Sequence, residues 1–248
     1  MMDRREFLVT AGGTLLAGTS SAYAVRLLTA SGSGELDPVV AAPSGRKWGM
    51  VVDLRKCIPD CTVCLEACRK ENNVAFHGDK RWDMHWIRKV RLENRHGGTA
   101  TEKSILLLCN HCDKPPCAQV CPVQATYKRD DGIVIVDHHR CIGCRYCMVA
   151  CPYNARLFNF KESEEWPNRE FPRRSHGVAE ACTLCAHLLE RSQPPACVAA
   201  CNRIGVRALL VGDLNDPESE VSRLIAGNPV KRIREDLGTE PKVYYIGL

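Results

Sequence analysis

Short apolar runs, each cut off by a turn residue, recur along the chain, and long amphipathic periods are rare. Met50-Val51-Val52-Asp53 reads as a strand ending at an aspartate, and Ile135-Val136-Asp137 repeats it. In both places a cysteine follows four residues after the aspartate, at Cys57 and Cys141. The segments 86–92 and 104–108, with His96-Gly97-Gly98 between them, predict a β-hairpin or paired strands. Residues 159–178 are polar and carry Pro167 and Pro172, which predicts a loop insertion. Near the end, residues 217–226 predict a short helix. Val243-Tyr244-Tyr245-Ile246 predicts a short strand or a docking tail.

Composition changes this picture at one point. The 248 residues include 16 cysteines against six tyrosines and five phenylalanines, so cysteine chemistry must supply cross-links that a thin aromatic core cannot. The net charge of +5 is modest, and no basic stripe interleaved with aromatics points to nucleic acid. No Ser–His–Asp grouping, phosphate loop or dinucleotide fingerprint is present, so the chain reads as a carrier and not as an enzyme in its own right.

The N-terminus reads as an address. Arg4-Arg5 followed by Phe7-Leu8, an apolar stretch to about Ala17 and Ala22-Tyr23-Ala24 match a twin-arginine export signal over residues 1–24. It is cleaved near Val25 or kept as an anchor. A plain amphipathic helix is the other reading. Export implies the periplasmic side of the cytoplasmic membrane. Residues 25–46, rich in Ala, Ser, Gly and Pro, read as a linker or extended arm.

Exported cysteines usually pair as disulfides, zinc takes them four at a time, and iron–sulfur clusters take them in fours as thiolates. Spacing decides. The third group, Cys141, Cys144, Cys147 and Cys151 followed by Pro152, has the C-x2-C-x2-C-x3-C-P run of bacterial 4Fe–4S ferredoxins. Three thiolates on one tight loop reach three irons of a cube, and the fourth, at a helix start, serves another cluster. The second group is Cys109, Cys112, Cys117 and Cys121, its wider gap filled by Pro115-Pro116. The fourth is Cys182, Cys185, Cys197 and Cys201, which alone would pass for a zinc ribbon. The first is Cys57, Cys61, Cys64 and Cys68, with one extra residue in its first gap, expected to bulge at Pro59 with Asp60 as a turn residue. Together the groups make four repeats of strand, cysteine loop and short helix. The fold class that follows is α+β: two ferredoxin-like 2×4Fe–4S modules over residues 47–212, with a β-hairpin insertion and a C-terminal extension, 213–248.

From Trp48 to Asp213 these groups resemble the four-cluster ferredoxin-like electron-transfer subunits of polysulfide, tetrathionate and dimethylsulfoxide reductases. The twin-arginine start, the stretch from Glu170-Phe171-Pro172-Arg173 to Gly177-Val178, and Gly212-Asp213 with Asp216-Pro217 and Ser219-Glu220-Val221 resemble the DsrO branch, the exported subunits of DsrMKJOP complexes of dissimilatory sulfur metabolism. The resemblance implies that ligands cross between groups. Cys57, Cys61 and Cys64 would share a cluster with Cys201, and Cys182, Cys185 and Cys197 with Cys68. Cys109, Cys112 and Cys117 would take Cys151, and Cys141, Cys144 and Cys147 would take Cys121. Arg69 and Asn202 stand where the other two runs have Pro, which makes the first-and-fourth pairing the departure from pattern. The implied partners are an NrfD-like integral membrane subunit that handles quinone and a multihaem cytochrome c subunit. The alternatives are a subunit of a molybdopterin reductase and, in another class, a zinc- or disulfide-stapled exported scaffold.

Among the remaining residues, His111, His138 and His139 are expected near clusters without ligating them, Trp82 and Trp86 in the core, and Arg88, Lys89 and Arg91 on a solvated strand face.

Overall fold

The computed structural model of the chain describes residues 45–92 and 103–248. The export signal, nearly all of the 25–46 arm and the His96-Gly97-Gly98 turn lie outside the described residues.

The first apolar run forms β1 (Trp48–Asp53), and it is buried on both faces, as its unbroken Met50-Val51-Val52 sequence requires. Its neighbours come from the far end of the chain. It pairs antiparallel with β8 (Leu209–Asp213) and parallel with β10 (Val243–Ile246), and β9 (Val230–Lys231) completes the sheet in the order β8-β1-β10-β9. The C-terminal extension is therefore no appendage. Val243, Tyr245 and Ile246 are buried in the sheet, so the tail packs on its own unit.

One face of this sheet covers the cysteine-bearing core through Met50, Val52, Leu209, Val243 and Tyr245. The other face takes the helix α6 (Glu220–Gly227) through Val51, Leu210, Val221 and Ile246. That helix starts three residues later than its pattern predicts, because Ser219 caps it: the Ser219 hydroxyl accepts from Ser222 N–H and donates to the Asp213 carbonyl at 2.7 Å. Pro217 falls in the turn before the cap. Gly212 lets Val221 pack directly on β8, since a Cβ there would sit 3.1 Å from the valine side chain. The motif 212–221 thus ties the last helix to the sheet.

Four helices carry six of the sixteen cysteines, and the other ten lie in the adjoining loops: α1 (Val63–Glu71), α2 (Pro116–Gln119), α3 (Tyr146–Ala150) and α5 (Ala196–Arg203). They pack in two pairs, α1 on α5 and α2 on α3. Each pair has a matching strand pair. The strand before α1 is β1, and it bonds to β8, the strand after α5. The strand before α3 is β5 (Val134–Val136), and it bonds to β4 (Thr126–Lys128), which follows α2. The repeat seen in the sequence is thus present as repeated pairing.

The remaining described elements are two strand pairs, one α-helical turn and a 3-10 turn, Glu235–Leu237. Antiparallel β2 (Arg88–Leu92) and β3 (Lys103–Leu107) form the predicted paired strands. The other pair, β6 (Leu157–Phe158) with β7 (Ala179–Glu180), closes the neck of the 159–178 loop. The turn α4 (Ala186–Leu189) follows Cys185. Asn73 staples the loop from outside by donating to the Asn168 and Phe171 carbonyls, both at 2.9 Å. Among the described residues no helix is long and apolar enough to cross a membrane.

Tyr245 joins the sheet to the β2–β3 pair, its fully buried hydroxyl donating to the Leu106 carbonyl at 2.7 Å. Tyr245→Phe removes that bond from a dry interior. The expected loss is about 1 kcal/mol, read as a drop of roughly 2–4 °C in melting temperature for a domain of this size, with unchanged metal content.

Candidate metal centres

None of the sixteen cysteines is in a disulfide, and burial divides them. Cys68, Cys182, Cys185 and Cys197 are all buried, as are Cys109, Cys112 and Cys117, with Cys151 half-buried. Cys57 and Cys61 are half-buried beside buried Cys64 and Cys201. In the third group Cys144 is exposed, Cys141 is half-buried and Cys147 is buried, while Cys121 is half-buried.

Electrostatic neighbours show which thiols the fold gathers. Burial pushes the Cys64 thiol up to about 11, and Cys57, Cys201 and Cys61 add to the rise. Cys68 is pushed well above the ordinary thiol by burial and by Cys182, Cys197 and Cys185. Cys109 reaches about 12 through burial, with Cys117 and Cys151 nearby. Cys147 reaches about 11 through burial, with Cys117, Cys141 and Cys144 nearby. Three of the four crossed sets implied by the resemblance are therefore brought together in space. Cys121 follows α2, which packs on α3, and it is held by amide N–H groups instead. Burial raises its thiol, but donors at Thr126, Val123 and Ala125 outweigh that and hold it below the ordinary value.

The same neighbours run on from set to set. Cys64 lies near Cys68 and Cys197, Cys182 near Cys109, and Cys117 near Cys147. The sets therefore adjoin in succession, from the 57–64 loop to the 141–147 loop, and the first and last carry the more exposed thiols.

Thiols this buried stay protonated unless a cation faces them. The arrangement fits iron–sulfur cubes. Cys109, Cys112, Cys117 and Cys151 line one cavity with Pro115, Pro116 and Pro152. Among the described residues no three His, Cys, Asp or Glu side chains converge on a single point as one ion demands. A cube with iron at alternate corners holds its thiolates further apart than a tetrahedral zinc ion does. Backbone N–H groups point at the sulfurs: Thr126 at Cys121 (3.4 Å), Ala179 at Cys141 (3.5 Å), Leu184 at Cys182 (3.4 Å) and Ala208 at Cys201 (3.3 Å). Donors of this kind stabilise the charged sulfur.

The extra residue in the first group is absorbed without disturbing the set. Ile58–Cys61 forms a β-turn closed by Cys61 N–H to the Ile58 carbonyl at 3.2 Å, with Pro59 in its second position. The expected solvated face of β2 holds for Arg91, which is exposed, and is corrected for Arg88 and Lys89, which are half-buried. Lys89 donates to the Cys61 carbonyl at 2.9 Å and also to the Ile58 carbonyl, Arg91 pairs with Asp60 at 3.0 Å, and Ser104 reaches the Pro59 carbonyl. Arg88 reaches the Tyr153 and Asn154 carbonyls, in the turn after Cys151. The β2–β3 pair is a brace for two cysteine loops. A carbonyl in a turn is a partner that strand periodicity cannot reveal.

Other side chains near the thiols gave no signal in the sequence. Arg156 is buried and donates to Cys117 Sγ at 3.2 Å. Its burial opposes its charge, but Cys109, Cys117 and Cys147 more than offset this. Asn72 donates to Cys185 Sγ at 3.5 Å. Arg174 lies near Cys68 and Cys185, stacked on Trp86 and Phe171, and beside it Glu180 is pushed up to about 7 by burial. Trp86 is in the core as expected and donates to Glu180 at 3.2 Å, while Trp82 is half-buried edge-on to Phe160. His111 is fully buried, accepts from Val134 N–H through Nδ1 at 3.1 Å and is pushed down to about 3 by burial. His138 is pushed down to about 4 by burial as well.

Known proteins share this sequence pattern. The family described as a 4Fe–4S dicluster domain matches residues 105–212. The Hdr-like menaquinol oxidoreductase iron–sulfur subunit 1 of Archaeoglobus fulgidus is 40% identical, over 100% of this chain and 99% of its own. One subunit of the tetrathionate reductase of Salmonella typhimurium is 38% identical, over 82% of this chain and 73% of its own. One subunit of the polysulfide reductase of Wolinella succinogenes is 34% identical, over 81% and 94%.

Gly143 gives a test of the third loop. Its φ of +69° belongs to glycine, and a Cβ would lie 2.4 Å from the Gly177 carbonyl oxygen. Gly143→Ala is expected to displace Cys144 and to remove about a quarter of the bound iron. An unchanged iron content in the purified variant would contradict this.

Proposed function

From the premise that the chain belongs to the family of iron–sulfur electron-transfer subunits of oxidoreductase complexes, we propose that it relays single electrons along a line of four 4Fe–4S clusters, ligated by all sixteen cysteines. It is a carrier subunit, and it works through 4Fe–4S clusters. The observation that carries the relay is the unbroken succession of adjoining thiol sets. The proposed ligand sets are Cys57, Cys61, Cys64 and Cys201; Cys182, Cys185, Cys197 and Cys68; Cys109, Cys112, Cys117 and Cys151; and Cys141, Cys144, Cys147 and Cys121. They form two ferredoxin-like modules, one built on the α1–α5 pair and one on the α2–α3 pair.

Bound clusters supply one-electron exchange without bond making or breaking. The chain does the rest. It holds the thiols in sets, surrounds the inner ones with apolar residues, and donates N–H groups to the sulfurs. It also leaves the 57–61 and 141–144 loops near the surface, where an electron enters or leaves.

The complex we favour is a DsrO-type assembly of dissimilatory sulfur metabolism. The whole-length match to a menaquinol oxidoreductase subunit supports its quinone-linked side, whereas the reductase relatives cover about four-fifths of the chain. On this proposal the chain is exported by the twin-arginine route to the periplasmic side of the membrane. There it meets an NrfD-like membrane subunit and a multihaem cytochrome c. The tetrathionate and polysulfide reductase relatives support a second reading, the electron-transfer subunit of a molybdopterin reductase. Purification of the intact complex separates the two, since haem or molybdenum will accompany the chain.

Anaerobic purification with iron and acid-labile sulfide assays is expected to give about sixteen irons per chain, four per cluster, and coupled EPR signals on reduction. About twelve would remove one cluster from the line. A colourless, zinc-bearing or thiol-free protein would overturn the proposal in favour of a stapled scaffold.

A further inference from the structure

Arg156 has a position that ligation does not require. It follows Cys151 by five residues, after a turn closed by Asn154 N–H to the Cys151 carbonyl and clamped by Arg88. Only 3% of it is exposed. One Nη donates to Cys117 Sγ at 3.2 Å, and the other is buried with no acceptor. Among the described residues no carboxylate pairs with it, and its charged neighbours are the thiols of Cys109, Cys117 and Cys147. Two of these belong to the Cys109–Cys151 set and the third to the Cys141–Cys147 set.

A guanidinium keeps its charge at any working pH. An unpaired buried charge is strongly destabilising, so this one is stable where the thiolates of two sets compensate it. We propose that Arg156 is a positioning residue for electrons: it raises the reduction potentials of the two neighbouring clusters that share it. This rests on the ligand sets proposed above. When one electron enters, the cluster and its four thiolates gain one negative charge, no bond breaks and no proton moves. The electron comes from a redox partner or, in the test, from dithionite. A fixed positive charge in a low-dielectric site stabilises the more negative state. The donor to Cys117 Sγ acts in the same direction.

The experiment is an EPR-monitored potentiometric titration of the anaerobically purified full chain, with Arg156→Gln and Arg156→Lys beside the wild type. In the Gln variant two of the couples are expected to become at least tenfold harder to reduce, about 59 mV each for a one-electron couple, while the other two stay in place. The Lys variant keeps the charge and is expected to shift less. Unmoved potentials in a fully iron-loaded Gln variant would overturn the inference, as would equal shifts in the Lys and Gln variants or in all couples together. Should the Gln variant lose its iron, wild-type protein labelled with 15N-arginine decides by pulsed EPR. A guanidinium nitrogen coupled to a reduced cluster supports the inference, and no such coupling refutes it. A wild-type chain without iron and sulfide would sink the ligand sets themselves, and that is known before any potential is measured.

Discussion

Everything in this protein depends on bringing four thiols from two distant stretches of chain to face one space, and on doing so repeatedly. The β1 loop must meet α5 more than a hundred residues later, and the β5 loop must meet α2. Neither a long helix nor a wide sheet serves this purpose. The elements are short, and several helix starts and loop corners take left-handed backbone, as at Arg145 and Cys185. The single four-stranded sheet closes one end, where β10 returns to lie beside β1 and buries Tyr245 against the β2–β3 pair.

Gathering thiols creates an electrostatic problem that the fold answers set by set. Neutral thiols tolerate the interior, but thiolates do not without compensation. Each region has its own cation or donors. Lys89 lies beside Cys57 and Cys64, Arg174 beside Cys68 and Cys185, and Arg156 between the two sets of the other half. Cys121 has no such cation among its chief influences and relies on amide N–H groups from the first residue of β4 and the turn before it. Two of these cations also do mechanical work. Lys89 clamps the expanded first loop through its carbonyls, and Arg174 donates to the Asn72 carbonyl at 2.7 Å, which helps hold the 159–178 loop over the core.

Much of this is legible in the amino-acid sequence alone. Cysteine spacing and the repeated strand-to-cysteine interval locate the thiol groups, because a tight loop around a cube tolerates few spacings. The hairpin strands and the last strand are visible for the same reason that short apolar runs usually are. The roles of Arg88 and Lys89 are not visible, since their partners are turn carbonyls that carry no side-chain signature. Arg156 and Glu180 are equally silent, being single polar residues in short strands or loops whose burial is decided by the contact of two distant halves. The pattern places the start of α6 too early because Pro217 is permissible in a first helical turn, yet Ser219 holds the stronger cap.

The exposure pattern carries the last step. The inner sets are almost wholly buried, whereas the 141–147 loop presents Cys144 with Ile142, Tyr146 and Val149 exposed around it, and the 57–64 loop presents Cys57 and Cys61 with Ile58. Electron transfer needs closeness at the ends and insulation between them. A line of sets that is sealed in the middle and open at both ends meets that need by packing alone. Fixed charge then acts on the sets it faces. Arg156 lies in the half that ends at the more exposed loop, so the cation and the open end work on the same side of the relay.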